Sequence, residues 1–253
     1  MENAVRQDFP GGGQSNLSSL TGFKPTAKKQ KTGFTLAEVL ITLGIIGVVA
    51  AMTMPNLIAK HQKKVYVNRM KQTYTILANA FLLSRQDYGE PSEWDWDSTN
   101  VSQENLARVI EKYIIPYLSV SSKGRDADNT EPSYVCTLKN GTTILFQFDG
   151  YNNEGIENGP VTNITTLRIL VSHRNKTSYF LASDRDYSRS EYMLNYNMSN
   201  GLQFSGYNKK YDRDYYLNDG KYACNKNIVK NRRLHCAALI FYDGWQISDD
   251  YPW

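Results

Sequence analysis

The 253-residue chain is poor in the side chains that most often carry chemistry, with three cysteines and three histidines. Three cysteines are too few for a disulfide scaffold, and Cys136, Cys224 and Cys236 form no CxxC pair of the kind that opens a zinc site. Charge of one sign is scarce too: 29 basic against 25 acidic groups leave +4. The positives are dispersed or sit beside an apolar run, which is not the footprint of a nucleic-acid binder. A charged fraction of 21% and a mean hydropathy of −0.52 exclude a polytopic transporter. A hydrophobic fraction of 41% with 18 tyrosines excludes a disordered chain. No internal repeat is visible, and long apolar runs are absent with one exception.

That exception is FTLAEVLITLGIIGVVAAMTM, residues Phe34 to Met54, in which Glu38 is the sole ionisable side chain. At about 1.5 Å per residue the run is roughly 31 Å long, the thickness of a bilayer's hydrocarbon core. A buried core helix would be shorter and one-sided, whereas this run is apolar on every face, so a membrane span is expected. Residues 1–33 are polar, with Gly11 to Gly13, several serines and then KPTAKKQKTG. They contain no apolar core of their own, which sets them apart from a cleaved secretory signal and gives the composition of a disordered extension. Lys24, Lys28, Lys29 and Lys31 precede the span, and Lys60, Lys63, Lys64, Arg69 and Lys71 follow it. Basic residues on both sides leave the orientation undecided by the positive-inside rule.

The string KTGFTLAEVLITLGIIGVVAAMTMP resembles the N-terminal signature of type IV prepilins and pseudopilins. In that family a basic leader ends in glycine, phenylalanine usually follows, and glutamate falls fifth in the mature chain. Counting Phe34 as first, Glu38 is fifth and Pro55 is twenty-second, where pilins often carry proline. The match covers about 30 contiguous residues, and the leader is longer than the half-dozen or so residues common in the family. More weakly, QDYGEPSEWDW and DGWQISDDYPW resemble a group of bacterial pilin-like proteins labelled type II secretion or prepilin-type.

The resemblance implies that a prepilin peptidase cuts between Gly33 and Phe34 on the cytoplasmic side and methylates the new amine of Phe34. Gly33, without a side chain, lets the backbone lie extended against a peptidase; the alternative is a glycine that merely precedes a helix. Glu38 costs free energy in lipid and calls for a partner. In the family that partner is the mature N-terminal amine of an adjacent subunit; the alternative is a glutamate that snorkels to the interface and complements the helix N-terminus. Pro55, with Gly44 and Gly47 upstream, provides places for a bend or local melting that would help subunits pack.

Past the span, Val67, Met70, Tyr74, Leu77 and Phe81 form one apolar stripe at helical spacing, so the helix is expected to continue to about residue 84 with this stripe against a core. A second helix is expected over Ser102 to Ile114, stopped by Pro116. Tyr134 to Lys139, Asn140-Gly141 and Thr142 to Phe148 read as a hairpin with a two-residue turn. Further strands are expected at Thr166 to Ser172, Thr177 to Ser183 and Ala237 to Tyr242, the last turning at Asp243-Gly244. The class is α+β, a long hydrophobic N-terminal helix packed on an antiparallel sheet, which is also the pilin fold that the resemblance implies. The resemblance implies three segments: a cleaved cytoplasmic leader (1–33), a transmembrane and filament-core helix (34–54) and an exported α+β domain (55–253).

Asp149 to Gly159 is polar but lacks the alternating ligands of an EF-hand, since Tyr151 stands at the second ligand position, so a loop is expected. His61, His173 and His235 form no constellation with a nucleophile. His235 precedes Cys236, and neighbours on a strand point to opposite faces. No catalysis, cofactor or metal is expected. An exported domain sits in an oxidising space, so Cys224 and Cys236 are expected to pair and Cys136 to remain a thiol. The expected role is a structural subunit of a type IV filament, either pilus or secretion pseudopilus. Its expected partners are prepilin peptidase, identical or related pilin subunits, an inner-membrane assembly platform and membrane lipid, with no nucleic acid for the monomer. The expected location is the bacterial inner membrane, single pass, with the C-terminal domain exported, and then a periplasmic or extracellular filament. The competing expectation is a signal-anchored protein with an exported binding domain and no filament.

Overall fold

The computed structural model describes residues 33–96, 102–125, 132–151, 163–173, 191–197, 201–218, 223–225, 227 and 235–253. The leader up to residue 32, the expected strand Thr177 to Ser183 and the loop from residue 152 to 159 lie outside them. Helix α1 runs from Leu36 to Tyr88 without interruption. It ends where Gly89, at φ 77°, enters the left-handed region. There the N–H of Gly89 donates to the carbonyl of Arg85 at 3.0 Å, a left-handed glycine cap.

Two compact units divide the chain between Met52 and Thr53. In the first, the helical residues are exposed on every side: Leu40, Ile41, Leu43 and Ile46 each keep about 60% of their surface. At 100° per residue these four positions point around most of a turn, so no face is reserved for a protein core. Spans of such length and composition can cross a membrane, and the most apolar window of α1 is 0% buried.

The second unit carries a six-stranded antiparallel sheet in simple sequential order. Its strands are β1 (Val120–Gly124), β2 (Tyr134–Leu138), β3 (Thr143–Tyr151), β4 (Asn163–Ser172), β5 (Glu191–Asn197) and β6 (Gly201–Phe204). Register places Tyr134 opposite Phe146, Phe146 opposite Ile169, Ile169 opposite Leu194 and Leu194 opposite Phe204. Because side chains alternate along a strand, this row faces one way and joins the main core, while Val135, Leu145, Leu170 and Met193 form a separate small cluster. The α1 stripe packs on the main face: Met70 and Leu77 are fully buried, and Phe81 stacks on Tyr196 at 3.8 Å between ring centroids. Tyr74 stacks on Phe204 at 5.3 Å.

Helix α2 (Gln103–Tyr113) starts where the Ser102 hydroxyl accepts the N–H of Asn105, an N-cap, and buries Leu106, Val109, Ile110 and Tyr113. Pro116 lies in the short 3₁₀ turn that follows. Trp94 stacks on Tyr113 of α2 at 4.5 Å between ring centroids.

Two expectations need correction. The hairpin between β2 and β3 has a three-residue loop, because Leu138 accepts from the N–H of Gly141 and donates to the carbonyl of Thr142. Gly141 has φ 82° and Asn140 does not have positive φ, so this is a type I turn with a glycine bulge rather than the two-residue turn. Ala237 to Tyr242 is not a strand but the body of helix α4 (Cys236–Tyr242). A seven-residue apolar run is ambiguous between the two, and here Ala237, Ala238 and Leu239 favour the helix. The Asp243-Gly244 turn caps it: Gly244 donates to Phe241 and Trp245 donates to Ile240, the paired bonds of a Schellman motif. Helix α3 (Arg213–Asn218) precedes it.

Candidate functional site

The Gly33-Phe34 bond lies just ahead of α1 in non-helical backbone, with Phe34 88% exposed. A Cβ placed on Gly33 would meet nothing within 4 Å. The fold itself therefore makes no demand for glycine here, and any demand must come from whatever handles this bond.

Thr35 and Glu38 close the first turn of α1 reciprocally. Glu38 Oε2 accepts from the backbone N–H of Thr35 at 2.7 Å and from its hydroxyl at 2.8 Å, while Thr35 Oγ1 accepts the N–H of Glu38 at 3.2 Å. This is a capping box, and the T-x-x-E spacing was visible in the sequence but went unread. It gives Glu38 a local role near the helix N-terminus, the alternative held open above, and leaves a carboxylate oxygen able to accept a further donor. Pro55 lies inside α1 with helical backbone on both sides, so no local melting occurs there in this structure. Lacking an N–H, it cannot bond the carbonyl of Ala51, and that turn has one hydrogen bond fewer. Gly44 and Gly47 have open space where a side chain would stand.

In the second unit, Cys224 and Cys236 are bonded at an S–S distance of 2.07 Å, tying the segment after α3 to the first residue of α4. Cys136 is a buried thiol in β2, and burial pushes its pKa up to about 12. Because its sulfur is in the disulfide, Cys236 offers His235 no thiol; the strand geometry expected to separate them is absent, since Cys236 opens a helix and His235 stands at its N-cap position without a side-chain capping bond.

A polar clamp that sequence reading missed joins α3 to the C-terminal segment. Arg213 Nε donates to Asp243 at 2.8 Å, its Nη1 to Asp250 at 2.8 Å, and its Nη2 to Ser248 at 2.8 Å. The Arg213 guanidinium and the Ser248 hydroxyl hold the Asp250 carboxyl well below the usual carboxylate range. Among the described residues no group of three His, Cys, Asp or Glu side chains is placed to hold a metal ion. Asp149, at the start of the expected polar loop, instead lies in β3 and pairs with Arg168 at 2.7 Å.

His173 stands at the end of β4, its Nδ1 3.3 Å from the Thr142 hydroxyl and its ring edge-on to Tyr66 at 6.5 Å. Burial and the Arg69 charge lower its pKa to about 4. His61 is exposed on α1.

Residues 28–54 match the prokaryotic N-terminal methylation motif. Together with the long apolar helix and the antiparallel sheet, this makes the chain a type IV prepilin-like protein, a precursor of the class processed by prepilin peptidase, with a helix that fits an inner-membrane anchor. From residue 56 to 253 the chain belongs to a family of unknown function, DUF6613. Neither the curated proteins nor the solved structures contain a match to it.

Proposed function

We propose that this protein is a structural subunit of a type IV filament, pilus or secretion pseudopilus. In this reading prepilin peptidase cuts after Gly33, the amine of Phe34 is methylated, and residues 34–54 serve first as a membrane anchor and then as filament core. The observation that carries it is the methylation motif on a helix whose apolar side chains are exposed on all sides. A helix of that kind has only lipid or other helices to bury against. Glu38 then meets the Phe34 amine of a neighbouring subunit, since an amine and a carboxylate placed in lipid are each costly until paired. Loss of the leader leaves 24 basic and 23 acidic residues, so subunits stack without strong net repulsion. The exported sheet domain faces outward, and the protein's role is architectural rather than catalytic.

Intact-mass analysis of membrane-extracted protein tests maturation: loss of residues 1–33 and gain of one methyl is expected, and an unprocessed mass would overturn it. Assembly is tested with Glu38→Ala, which makes the span more apolar and so spares insertion. The variant loses the carboxylate half of the capping box but keeps Thr35, whose hydroxyl can still accept the backbone N–H of residue 38. Membrane-fraction abundance is expected to hold while filament-fraction abundance falls. Equal incorporation of wild type and variant would instead favour a signal-anchored protein, or a Glu38 that only caps its own helix.

A further inference from the structure

Between Val39 and Gln86 the chain holds no acidic residue, yet five basic ones, Lys60, Lys63, Lys64, Arg69 and Lys71, fall within the first turns after the apolar run. The apolar exposure does not stop at Met54: Leu57 and Ile58 keep 69% and 53% of their surface. Lys60 follows two residues later. Its side chain and that of Lys64 are exposed, Lys63 is half-buried, and among the described residues none of the three has a carboxylate partner. At 100° per residue Lys60, Lys63 and Lys64 share an arc of about 100° on the helix surface.

Their depth decides what they meet. Positions 60 to 64 rise roughly 3–9 Å beyond Ile58 along the helix, and the headgroup layer of a bilayer is about 5–8 Å thick on each side. Lysine stems can lie along the acyl boundary while the ammonium groups reach the phosphates. Lys71, whose ammonium sits 6.0 Å from the Trp245 ring centroid, lies farther out and belongs to the folded domain.

We propose that Lys60, Lys63 and Lys64 form a binding surface for the phosphate headgroups of anionic phospholipids in the leaflet from which the helix emerges. The proposal rests on the membrane-anchor reading. It adds a specific lipid class and a function: the three ammonium groups set the depth at which the helix leaves the bilayer, and their attraction to lipid opposes withdrawal of the subunit. Interaction with an anionic surface is strong enough per lysine to enrich such lipids several-fold, and salt screens it.

The test uses the full chain reconstituted into phosphatidylcholine vesicles containing a minor fraction of phosphatidylglycerol, with spin-labelled phosphatidylglycerol and phosphatidylcholine as probes of the lipid contacting the protein. Phosphatidylglycerol is expected to be enriched about fivefold over phosphatidylcholine at low salt. The ratio is expected to fall to about one in the Lys60→Gln/Lys63→Gln/Lys64→Gln variant and to drop in 1 M salt. Flotation with the vesicles is expected for both proteins, and an unchanged thermal unfolding profile shows that the variant's folded domain is intact. Flotation without headgroup selectivity would overturn the proposal while leaving the anchor standing, and would leave the basic turn to a carboxylate of a neighbouring subunit. Failure of the wild type to float would overturn the anchor reading and the proposal with it.

Discussion

The two halves of α1 are built from similar residues and do opposite things with them. Before Met52, leucine and isoleucine at Leu40, Ile41, Leu43 and Ile46 are all exposed; after it, Met70, Leu77 and Phe81 are sealed against the sheet. The difference lies in pattern. The first half is apolar on every face beyond Glu38, so no rotation of the helix could hide it within one chain, while the second half interleaves lysine, asparagine and glutamine with a single stripe. An all-round apolar helix is thus unfinished as a monomer, whereas the stripe from Val67 to Phe81 completes its burial with its own domain.

The contrast is tested most severely at Gly33. If its glycine serves a peptidase and nothing in the fold, Gly33→Leu should abolish leader removal, seen as a mass retaining residues 1–33, with thermal unfolding of the domain unchanged. A lower melting temperature would show that the fold does need this glycine.

Next in size is a pair of truncations. Phe81, 2% exposed and stacked on Tyr196, should cost about 3–5 kcal/mol when replaced by alanine. Leu43→Ala, on the exposed half, should leave the domain's chemical unfolding midpoint unchanged. Similar losses at both positions would erase the distinction between the halves.

The Cys224–Cys236 bond closes a loop of twelve residues in sequence separation. Cys224→Ser should therefore lower domain stability by about 3 kcal/mol under oxidising conditions, and the loss should vanish when wild type and variant are compared in reductant. Non-reducing peptide mapping that linked Cys136 to either partner would contradict the pairing.

The smallest effect expected is on pH dependence. His173 has a folded pKa lowered to about 4, with burial the larger cause. A depressed histidine pKa means that the unfolded chain takes up a proton more readily than the folded one. Its contribution is therefore full above the unfolded value of about 6.5 and is lost as pH falls from there toward 4, on the order of 1–3 kcal/mol. The Asp250 carboxyl acts in the same direction but at lower pH, losing its contribution as pH falls below about 3.9. His173→Gln should flatten the stability profile between pH 6.5 and 4; an unchanged slope would assign it to other groups.

Much of this architecture was legible because it depends on local spacing. The α1 stripe from Val67 to Phe81 and the extent of α2, ended ahead of Pro116, follow from periodicity and a proline stop, which act within a few residues. The pairing of Cys224 with Cys236 was likewise anticipated. The Asn140-Gly141 turn was placed correctly but its type was not, since loop length depends on which strand residues bond. Ala237 to Tyr242 was misread, because a short apolar run carries no period and Asp-Gly serves a helix cap as readily as a turn between strands.

By itself, the sequence determined an anchor that can cross a bilayer, a processing motif, and an amphipathic helix feeding an antiparallel sheet, because each is a pattern of neighbours along one segment. Only the tertiary structure decided that Arg213 clamps Asp243, Ser248 and Asp250, that α4 is a helix capped by Gly244 and Trp245, and that the register of six strands assembles one aromatic and aliphatic face for α1. These depend on residues well separated along the chain, or on competition between two local conformations of nearly equal free energy, and burial in a shared core is what resolves them.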